Sequence, residues 1–294
     1  MSIALAFVIC LLLTPAIRKM AGGFTSPIKD ELQDTQADKA GTCALGSLAL
    51  MASFALASFL SGDRMSLYAL ASSAPFFLVG LADDVMKIRR RNADGFTSLA
   101  KLLLQLACAA FMAYLVKDLA FAEADGLIYY PAAILLAAAS VNAVNITDGL
   151  DGLATKSIMP AIVLAAVAMA PLRTANLIIL ATLSAWLIYN SRRASIFMGD
   201  GGSHMLGAFL AFDALAGGQV MGIILASIMV YLDLASSFVQ IVAIRGFGRK
   251  VFLIAPFHHD LEKRGVGEEK IADLFLSLSI LGSLLSALLI FKVA

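Results

Sequence analysis

The sequence predicts an all-α, polytopic membrane protein with about ten transmembrane helices. Hydrophobic residues make up 60% of its 294 residues and charged residues only 15%, and the mean hydropathy is +0.88. A soluble domain usually carries about a quarter charged residues. Apolar runs of helix length recur along the chain, and the alternating pattern of a membrane β-barrel does not appear. We therefore expect one helical membrane domain over residues 1–294.

Ten apolar runs account for the predicted spans. A bilayer core requires about 20 apolar residues per helix, and fewer where helices contact each other. The sixth and eighth runs are the shortest. The ten runs cover residues 2–20, 44–61, 66–82, 99–117, 127–145, 157–171, 174–190, 203–217, 220–244 and 271–292.

Basic residues predict the orientation. The loops and helix ends on one side carry 18 of the lysines and arginines, and the other side carries 4. The positive-inside rule places the richer side in the cytoplasm, with both termini outside and the first helix uncleaved. The cytoplasmic loops are then 21–43, 83–98, 146–156, 191–202 and 245–270.

The most polar stretch between two apolar runs is NAVNITDGLDGLA, residues 142–154. It contains two carboxylates, Asp148 and Asp151, and a glycine follows each of them. A helix cap and a turn would use part of this set. Because the stretch also contains Asn142 and Asn145, we predict that it binds a ligand.

Two adjacent acids, Asp83 and Asp84, close the third run. Neighbouring residues on a helix point about 100° apart, so the two carboxylates can serve different partners. Ionisable groups at a membrane boundary are costly and often functional. The basic run that follows, residues 89–91, can attract anionic lipid headgroups.

A third acid, Asp200, lies in the glycine-rich segment SIFMGDGGSHMLG. A glycine-flanked acid at a helix start can hold Mg²⁺, which prefers carboxylates together with phosphate oxygens and water. Aspartate is also a good N-cap, and the pattern favours neither interpretation.

The last loop contains the segment APFHHDLEKRG, with His258 and His259 side by side. Adjacent histidines on one element rarely complete a zinc site. We therefore favour phosphate or hydroxyl binding by their rings. Asp233, within the ninth run, is predicted to be a hydrogen-bond partner between helices.

Taken together, these motifs resemble those of the polyprenyl-phosphate N-acetylhexosamine-1-phosphate transferases. The resemblance runs from Lys39 to Gly265, and ten spans match the family's fold. The histidine motif indicates the branch that takes N-acetylmuramoyl-pentapeptide rather than N-acetylglucosamine. The motifs are ADKAGT (37–42), LADDVMK (81–87), KLLLQ (101–105), NAVNITDGLDGLA, FMGDGGS (197–203) and APFHHDLEKRG, with RKVF upstream.

Two departures from the family pattern stand out. Residues 43–47 read CALGS where the family usually has PTMGG, and Asp260 replaces the third histidine of the last motif. A carboxylate beside two imidazoles should favour their protonated forms. We therefore expect Asp260 to orient one of the histidine rings.

The resemblance implies a reaction and a role for each motif. Phospho-MurNAc-pentapeptide would pass from its UDP donor to undecaprenyl phosphate, giving lipid I and UMP in peptidoglycan synthesis. Asp200 would hold Mg²⁺, Asp83 would be the base with Asp84 in support, and His259 would contact phosphate beside His258. The implied uracil site is Asp148, Gly149, Leu150, Asp151 and Phe197, and the other implied substrate contacts are Lys39, Thr42, Lys87, Lys101, Asn145 and Asn190.

The implied setting is a bacterial cell membrane with a cytoplasmic active site. The implied partners are undecaprenyl phosphate, a UDP-linked amino sugar, membrane lipid and a second copy in a homodimer, with no nucleic acid. Three alternatives stay open: the same chemistry with UDP-GlcNAc or another UDP-sugar, a secondary transporter, and an inactive lipid-binding homologue. A transporter would place charged residues near the bilayer midplane in broken spans.

Overall fold

The computed structural model describes residues 1–25, 36, 39, 41–90 and 95–293, and the fold of this part is all-α. Three residues of the ADKAGT motif and Arg91 of the basic run lie outside it. A 3₁₀ turn, Ala170–Leu172, precedes α7. The α-helices are α1 (Ser2–Met20), α2 (Ser47–Ser61), α3 (Arg64–Arg90), α4 (Ser98–Ala120), α5 (Gly126–Thr147), α6 (Leu153–Ala168), α7 (Arg173–Asn190), α8 (Gly199–Ala216), α9 (Val220–Ala226), α10 (Ile228–Phe247), α11 (Phe257–Lys263) and α12 (Glu268–Val293).

Seven of these helices are long and apolar enough to cross a membrane: α1, α3, α4, α5, α7 with its 3₁₀ turn, α10 and α12. The predicted all-α class is therefore confirmed. The other predicted spans fall on shorter helices, since α2 has 15 residues and α6 has 16. The count of ten spans stays a prediction.

Helix α8 lies at the centre of the bundle. Residues 201–215 are all buried, and α8 packs most extensively against α3 and α5. Glycines permit both approaches. A Cβ added at Gly80 of α3 would overlap the backbone of Asp200, and one at Gly207 of α8 would lie 2.5 Å from the Cα of Val141 on α5. The polar ends of α3, α5 and α8 are thereby brought together.

The ninth predicted span was wrong in one respect, because residues 220–244 form two helices. The chain breaks at Ser227, whose backbone is non-helical (φ −113°, ψ 27°) and whose hydroxyl donates to the Ile223 carbonyl at 2.6 Å. The backbone of Gly282 on α12 packs against the Leu225 carbonyl at this point. Hydropathy carries no signal of such a break, since both halves are equally apolar.

Two of the predicted cytoplasmic loops meet through backbone hydrogen bonds. The Phe197 N–H donates to the Cys43 carbonyl at 2.8 Å, and the Gly46 N–H donates to the Phe197 carbonyl at 2.9 Å. These bonds hold the loop before α8 against the loop before α2, on the side where the acid motifs cluster.

Candidate active site

Two lysines and three aspartates form one cluster at the ends of three helices. We call Asp83, Asp84, Lys87, Lys101 and Asp200 the acid–lysine cluster. The Lys87 Nζ lies 2.8 Å from one oxygen of Asp83 and 2.8 Å from one oxygen of Asp200. The Lys101 Nζ lies 2.5 Å from the same oxygen of Asp200 and 3.4 Å from that of Asp83. Two carboxylates therefore share two ammonium groups.

The adjacent acids serve different partners, as their angular offset on α3 predicts. Asp84 accepts hydrogen bonds from the backbone N–H groups of Asp200, at 3.0 Å, and Gly201, at 2.9 Å. Asp83 accepts from the Phe96 N–H at 2.5 Å as well as from the lysines. The first N–H groups of a helix lack partners within the helix, and Asp84 supplies one from α3.

Asp200 itself does not cap α8. No side chain caps this helix from its N-cap position, Met198, and Asp200 lies inside the first turn. Its second oxygen accepts from the Asn145 amide at 2.9 Å, and that amide also donates to Ser203 at 2.9 Å. Of the two interpretations that the sequence left open, the N-cap is excluded, and Mg²⁺ binding by Asp200 stays a prediction.

A second layer of polar side chains lies one helical turn beneath the cluster. It consists of Gln105, Asn142 and His204, which we call the inner polar layer. The Asn142 amide donates to the Gln105 carbonyl oxygen at 2.9 Å, and the Gln105 amide meets His204 Nε2 at 2.9 Å. Gln105 and His204 are buried. This layer was not predicted, although each member is three or four residues from a cluster residue or Asn145.

The cluster has the donor chemistry that Mg²⁺ requires. The oxygens of Asp83 and Asp200 already converge on a shared positive charge. Among the described residues, no three His, Cys, Asp or Glu side chains surround a common point. A cation at Asp200 would therefore complete its coordination with phosphate oxygens and water, as Mg²⁺ usually does.

The second part of the site is a cavity of about 770 Å³. It contains three predicted substrate residues, Lys39, Thr42 and Asp151. The Lys39 Nζ lies 3.1 Å from Asp151 and 2.8 Å from Glu268. Burial disfavours the charged form of Lys39, but these two carboxylates outweigh it and raise its pKa above the usual range. The other lining residues are Lys156, Ser191, Arg192, Arg193, Ala194, Gly267, Glu268 and Glu269.

The rim of the cavity is fixed by the loop before α8. Asp151 accepts from the Ala194 N–H at 2.7 Å. The Asn190 amide donates to the Ile196 carbonyl at 3.0 Å, while its buried oxygen has no partner among the described residues. Phe197 is half-buried in the same loop. Asn190 and Asp151 are thus both tied to this loop, and the predicted roles of Asn190 and Phe197 stay predictions.

Leu150 does not present its side chain to this region. It is buried in a small apolar cluster with Leu153, Met229 and Phe275. The side chain therefore packs into this cluster, and the predicted place of Leu150 in the uracil site stays a prediction. Leu150 anchors the 148–151 segment to α12.

Asp148 ends α5 between the two parts of the site. Burial, and then the negative charges of Asp200 and Asp84, raise the pKa of Asp148 well above its usual range. A protonated carboxyl can donate a hydrogen bond as well as accept one. Asp148 can therefore contribute a donor where its neighbours contribute only acceptors.

The two histidines face Gly149, each with its own acid. The His258 Nδ1 lies 2.6 Å from Asp233, and the His259 Nδ1 lies 2.8 Å from Glu262. A side chain at position 149 would collide with both rings, since a Cβ at Gly149 would lie 2.5 Å from His258 Nε2 and 3.1 Å from His259 Nε2. Burial lowers the pKa of His259 despite the nearby carboxylate of Glu262.

Asp260 does not orient either ring, and that expectation was wrong. Its oxygens accept from the Leu253 N–H at 2.7 Å and the Arg264 Nε at 2.7 Å. On α11 it points away from the histidine rings, because neighbouring side chains on a helix diverge by about 100°. Asp260 holds the loop before α11, and its charge is paired with Arg264 rather than with either histidine.

Sequence reasoning missed Gln36, Glu262 and Glu268. Gln36 donates to the Gly149 carbonyl at 3.3 Å and to Glu262 at 3.4 Å. The spacing of His259 and Glu262, three residues apart on a helix, was a readable signal. The pairing of Lys39 with Glu268 spans more than 200 residues and left no local signal.

Comparison with known proteins identifies the family. Residues 66–218 match the model of glycosyl transferase family 4. The chain is 33% identical to the phospho-N-acetylmuramoyl-pentapeptide-transferase of Kosmotoga olearia, over 88% of this chain and 86% of that protein. It is 31% identical to the enzyme of the same name from Clostridium perfringens, over 94% and 91%, and 33% identical to that of Sorangium cellulosum, over 88% and 82%.

The matched region contains the acid–lysine cluster and the 148–151 segment, whereas the ADKAGT and histidine motifs lie outside it. The family predicted from the sequence motifs is confirmed. The chain belongs to glycosyl transferase family 4, together with the phospho-N-acetylmuramoyl-pentapeptide transferases.

Proposed function

We propose that the protein transfers phospho-MurNAc-pentapeptide from its UDP donor to undecaprenyl phosphate, giving lipid I and UMP. The observation that carries the proposal is the acid–lysine cluster, in which two carboxylates and two ammonium groups meet beside a polar cavity. The names of the relatives supply the donor.

The reaction exchanges one phosphoanhydride for another. An oxygen of the lipid phosphate attacks the phosphorus that carries the sugar, and the bond from that phosphorus to the oxygen of UMP breaks. Negative charge spreads over several oxygens in the transition state, so positioning and electrostatic stabilisation do most of the work. Lys87 and Lys101 are placed to meet that charge.

The lysines also control access to Asp83. Both oxygens of Asp83 are hydrogen-bonded, one to the Phe96 N–H and the other to the lysines. When substrate phosphates take over the ammonium groups, one Asp83 oxygen becomes able to accept the proton of the lipid phosphate. Asp84 remains on the α8 backbone and keeps α3 and α8 in register.

Mg²⁺ is proposed as the cofactor, with Asp200 as its protein ligand. When bound it would neutralise charge on the pyrophosphate. Asn145 keeps the Asp200 carboxylate oriented toward the cluster.

The nucleotide is proposed to lie in the cavity, against Asp151, Lys39 and the 191–197 loop. Lys39 would then exchange its contact with Asp151 or Glu268 for one with the nucleotide. Asp148, with its raised pKa, would donate a hydrogen bond to a carbonyl oxygen of the base.

We further propose one domain of ten spans in the bacterial inner membrane, with both termini outside and the site facing the cytoplasm. The distribution of basic residues supports this orientation. The homodimer stays a prediction.

Release of UMP tests the proposal directly. The purified protein, in detergent with undecaprenyl phosphate, should release UMP from UDP-MurNAc-pentapeptide faster than from UDP-GlcNAc. Faster release from UDP-GlcNAc would assign the other branch of the same chemistry, and no release from any UDP-sugar would refute the transferase.

The metal assignment needs a matched variant. Activity should vanish in chelator, return with Mg²⁺ and be absent in Asp200→Asn. Asp213→Asn is the control, because Asp213 is buried on the same helix and contacts Asn176 rather than the cluster. Full activity of Asp200→Asn in Mg²⁺ would remove Asp200 from the metal site.

A further inference from the structure

A stripe of polar residues on α10 holds the segment that carries the histidines. Asp233, Ser236 and Gln240 are spaced by three and four residues, so they lie on one face of the helix. All three are buried. A polar stripe in an otherwise apolar helix is costly unless its groups are hydrogen-bonded, and each of these groups bonds to the segment from Val251 to His258.

The three residues bind different parts of that segment. The Gln240 oxygen accepts from the N–H groups of Val251 and Phe252, both at 3.0 Å. The Ser236 hydroxyl accepts from the Phe257 N–H at 2.8 Å. These contacts involve backbone groups only and fix the path of the chain into α11.

Asp233 differs because it also holds a ring. One of its oxygens accepts from the His258 backbone N–H at 3.1 Å, and the other lies 2.6 Å from His258 Nδ1. Thr147 at the end of α5 contacts the second oxygen at 3.1 Å. The carboxylate thus ties α5, α10 and α11 together at one point.

The other ring nitrogen has no partner within the described part of the chain. His258 is fully buried, and its Nε2 makes no hydrogen bond among the described residues. That nitrogen faces the backbone of Gly149, where a Cβ would lie 2.5 Å away. A buried polar atom without a partner is rare in native structures and calls for a ligand or water.

The proton between the ring and the acid belongs to the ring. The Asp233 oxygens also accept from the His258 backbone N–H and the Thr147 hydroxyl, so the carboxylate acts as an acceptor and Nδ1 carries the hydrogen. A neutral ring carries one N–H, which leaves Nε2 as an acceptor. The only other titratable groups facing the ring among the described residues are His259, whose ring centre is 4.1 Å away, and Glu262 behind it.

We propose that Asp233 is a positioning residue that keeps the proton of the His258 ring on Nδ1, so that Nε2 accepts a hydrogen bond from the bound nucleotide at Gly149. The hydrogen comes from an O–H or N–H group of the nucleoside. This inference rests on the proposed function, because it takes the 148–151 segment as part of the donor site.

The tautomer is measured by nitrogen NMR on protein labelled at its histidines. The chain has three histidines, and single replacements assign each ring. We expect the wild-type His258 proton on Nδ1. In Asp233→Asn the amide can donate to Nδ1, which should move the proton to Nε2. A wild-type ring with its proton on Nε2 would overturn the proposal, and this result is read on the wild-type protein once its signals are assigned.

Binding of UDP, used as the probe, separates positioning from simple support of the loop. Because Nε2–H would meet a donor instead of offering an acceptor, Asp233→Asn should bind UDP on the order of tenfold to a hundredfold more weakly. Ser236→Ala is the matched control, since it loses one loop contact and leaves the ring pair intact. It should change UDP affinity less than about threefold.

Equal loss of UDP affinity in Asp233→Asn and Ser236→Ala would show that Asp233 only supports the loop, and would overturn the proposal. Unchanged UDP affinity in an Asp233→Asn protein whose ring proton has moved to Nε2 would also overturn it. The proposed function fails separately, through the absence of UMP release from a protein that still binds UDP.

Discussion

Lys101, like Lys87, joins the two key aspartates, and it makes the shorter contact with Asp200. Its ammonium group lies 2.5 Å from Asp200 and 3.4 Å from Asp83, and all three side chains are mostly buried. Without Lys101 the two carboxylates would share one ammonium group, Lys87, instead of two, and breaking a buried ion pair costs up to about 3–5 kcal/mol. Lys101→Gln should therefore lower kcat/KM by at least about a hundredfold and reduce the melting temperature.

Lys117→Gln is the control on the same helix. Lys117 contacts the Ala122 carbonyl at the other end of α4. Its replacement should leave kcat/KM within about twofold. Equal losses of kcat/KM in the two variants would mean that the lysines of α4 support folding and not catalysis.

His259 gives a pH prediction at the same scale. Because burial lowers its pKa, the folded protein binds a proton there less readily than the unfolded chain, whose histidines titrate near about 6.5. As the pH falls below that value, the unfolded state gains protons that the folded state does not, and stability falls. The melting temperature of His259→Gln should decline less than that of the wild type between about pH 7 and 5.

Identical slopes for the two proteins would show that the ring is not held neutral. Lys156→Gln is a suitable reference, because it removes an ion pair with Asp273 and no histidine.

The contacts of a residue could be predicted from the sequence where they depend on nearby positions in the chain. The divergence of Asp83 and Asp84 is a property of any helix, and it was predicted. Asp260 was misjudged because its position beside two histidines suggested contact, whereas the helix directs it to Leu253 and Arg264. The pairing of Lys39 with Glu268 depends on two loops meeting in space, which spacing does not encode.

Elements were predicted where hydropathy is continuous and missed where tertiary packing interrupts it. The runs that became α1, α4 and α5 have nearly the predicted bounds. The break between α9 and α10 arises where α12 crosses them closely at Gly282. The inner polar layer was also missed, because a single Gln, Asn or His in an apolar helix does not indicate which residues on other helices it contacts.

That layer should act as a unit. His204→Leu would leave the Gln105 amide buried without an acceptor, at a cost of about 1–3 kcal/mol. Gln105→Leu would remove the partner of His204 Nε2 in the same way, while Asn142 would keep its bond to the Ala138 carbonyl. The double variant should be less destabilised than the sum of the two, by about 0.5–3 kcal/mol. Strictly additive losses in thermal unfolding would show that the two residues do not interact.

Over the whole molecule, the polar ends of α3, α5 and α8 and the histidines of α11 gather at one end of an otherwise apolar bundle. Helix α4 shows the distance to the other end. From Lys101 the helix continues for 19 residues to its end at Ala120, which corresponds to about 30 Å, and Glu123 follows just beyond it. That length matches the hydrocarbon thickness of a bilayer, so Glu123 and the acid–lysine cluster should lie on opposite sides of the membrane.

Labelling of single cysteines tests this orientation. The native cysteines, Cys10, Cys43 and Cys108, are first replaced by alanine, and an active background is retained. A cysteine at Glu123, which is exposed, should react with an impermeant maleimide added outside whole cells. One at Arg249, exposed in the loop between α10 and the histidines, should react only after the cells are opened. Reaction of both positions from the same side would require an even number of membrane crossings between them. The ten-span orientation has an odd number there, so this result would contradict it. The basic loops would then not all lie in the cytoplasm, where the positive-inside rule places them.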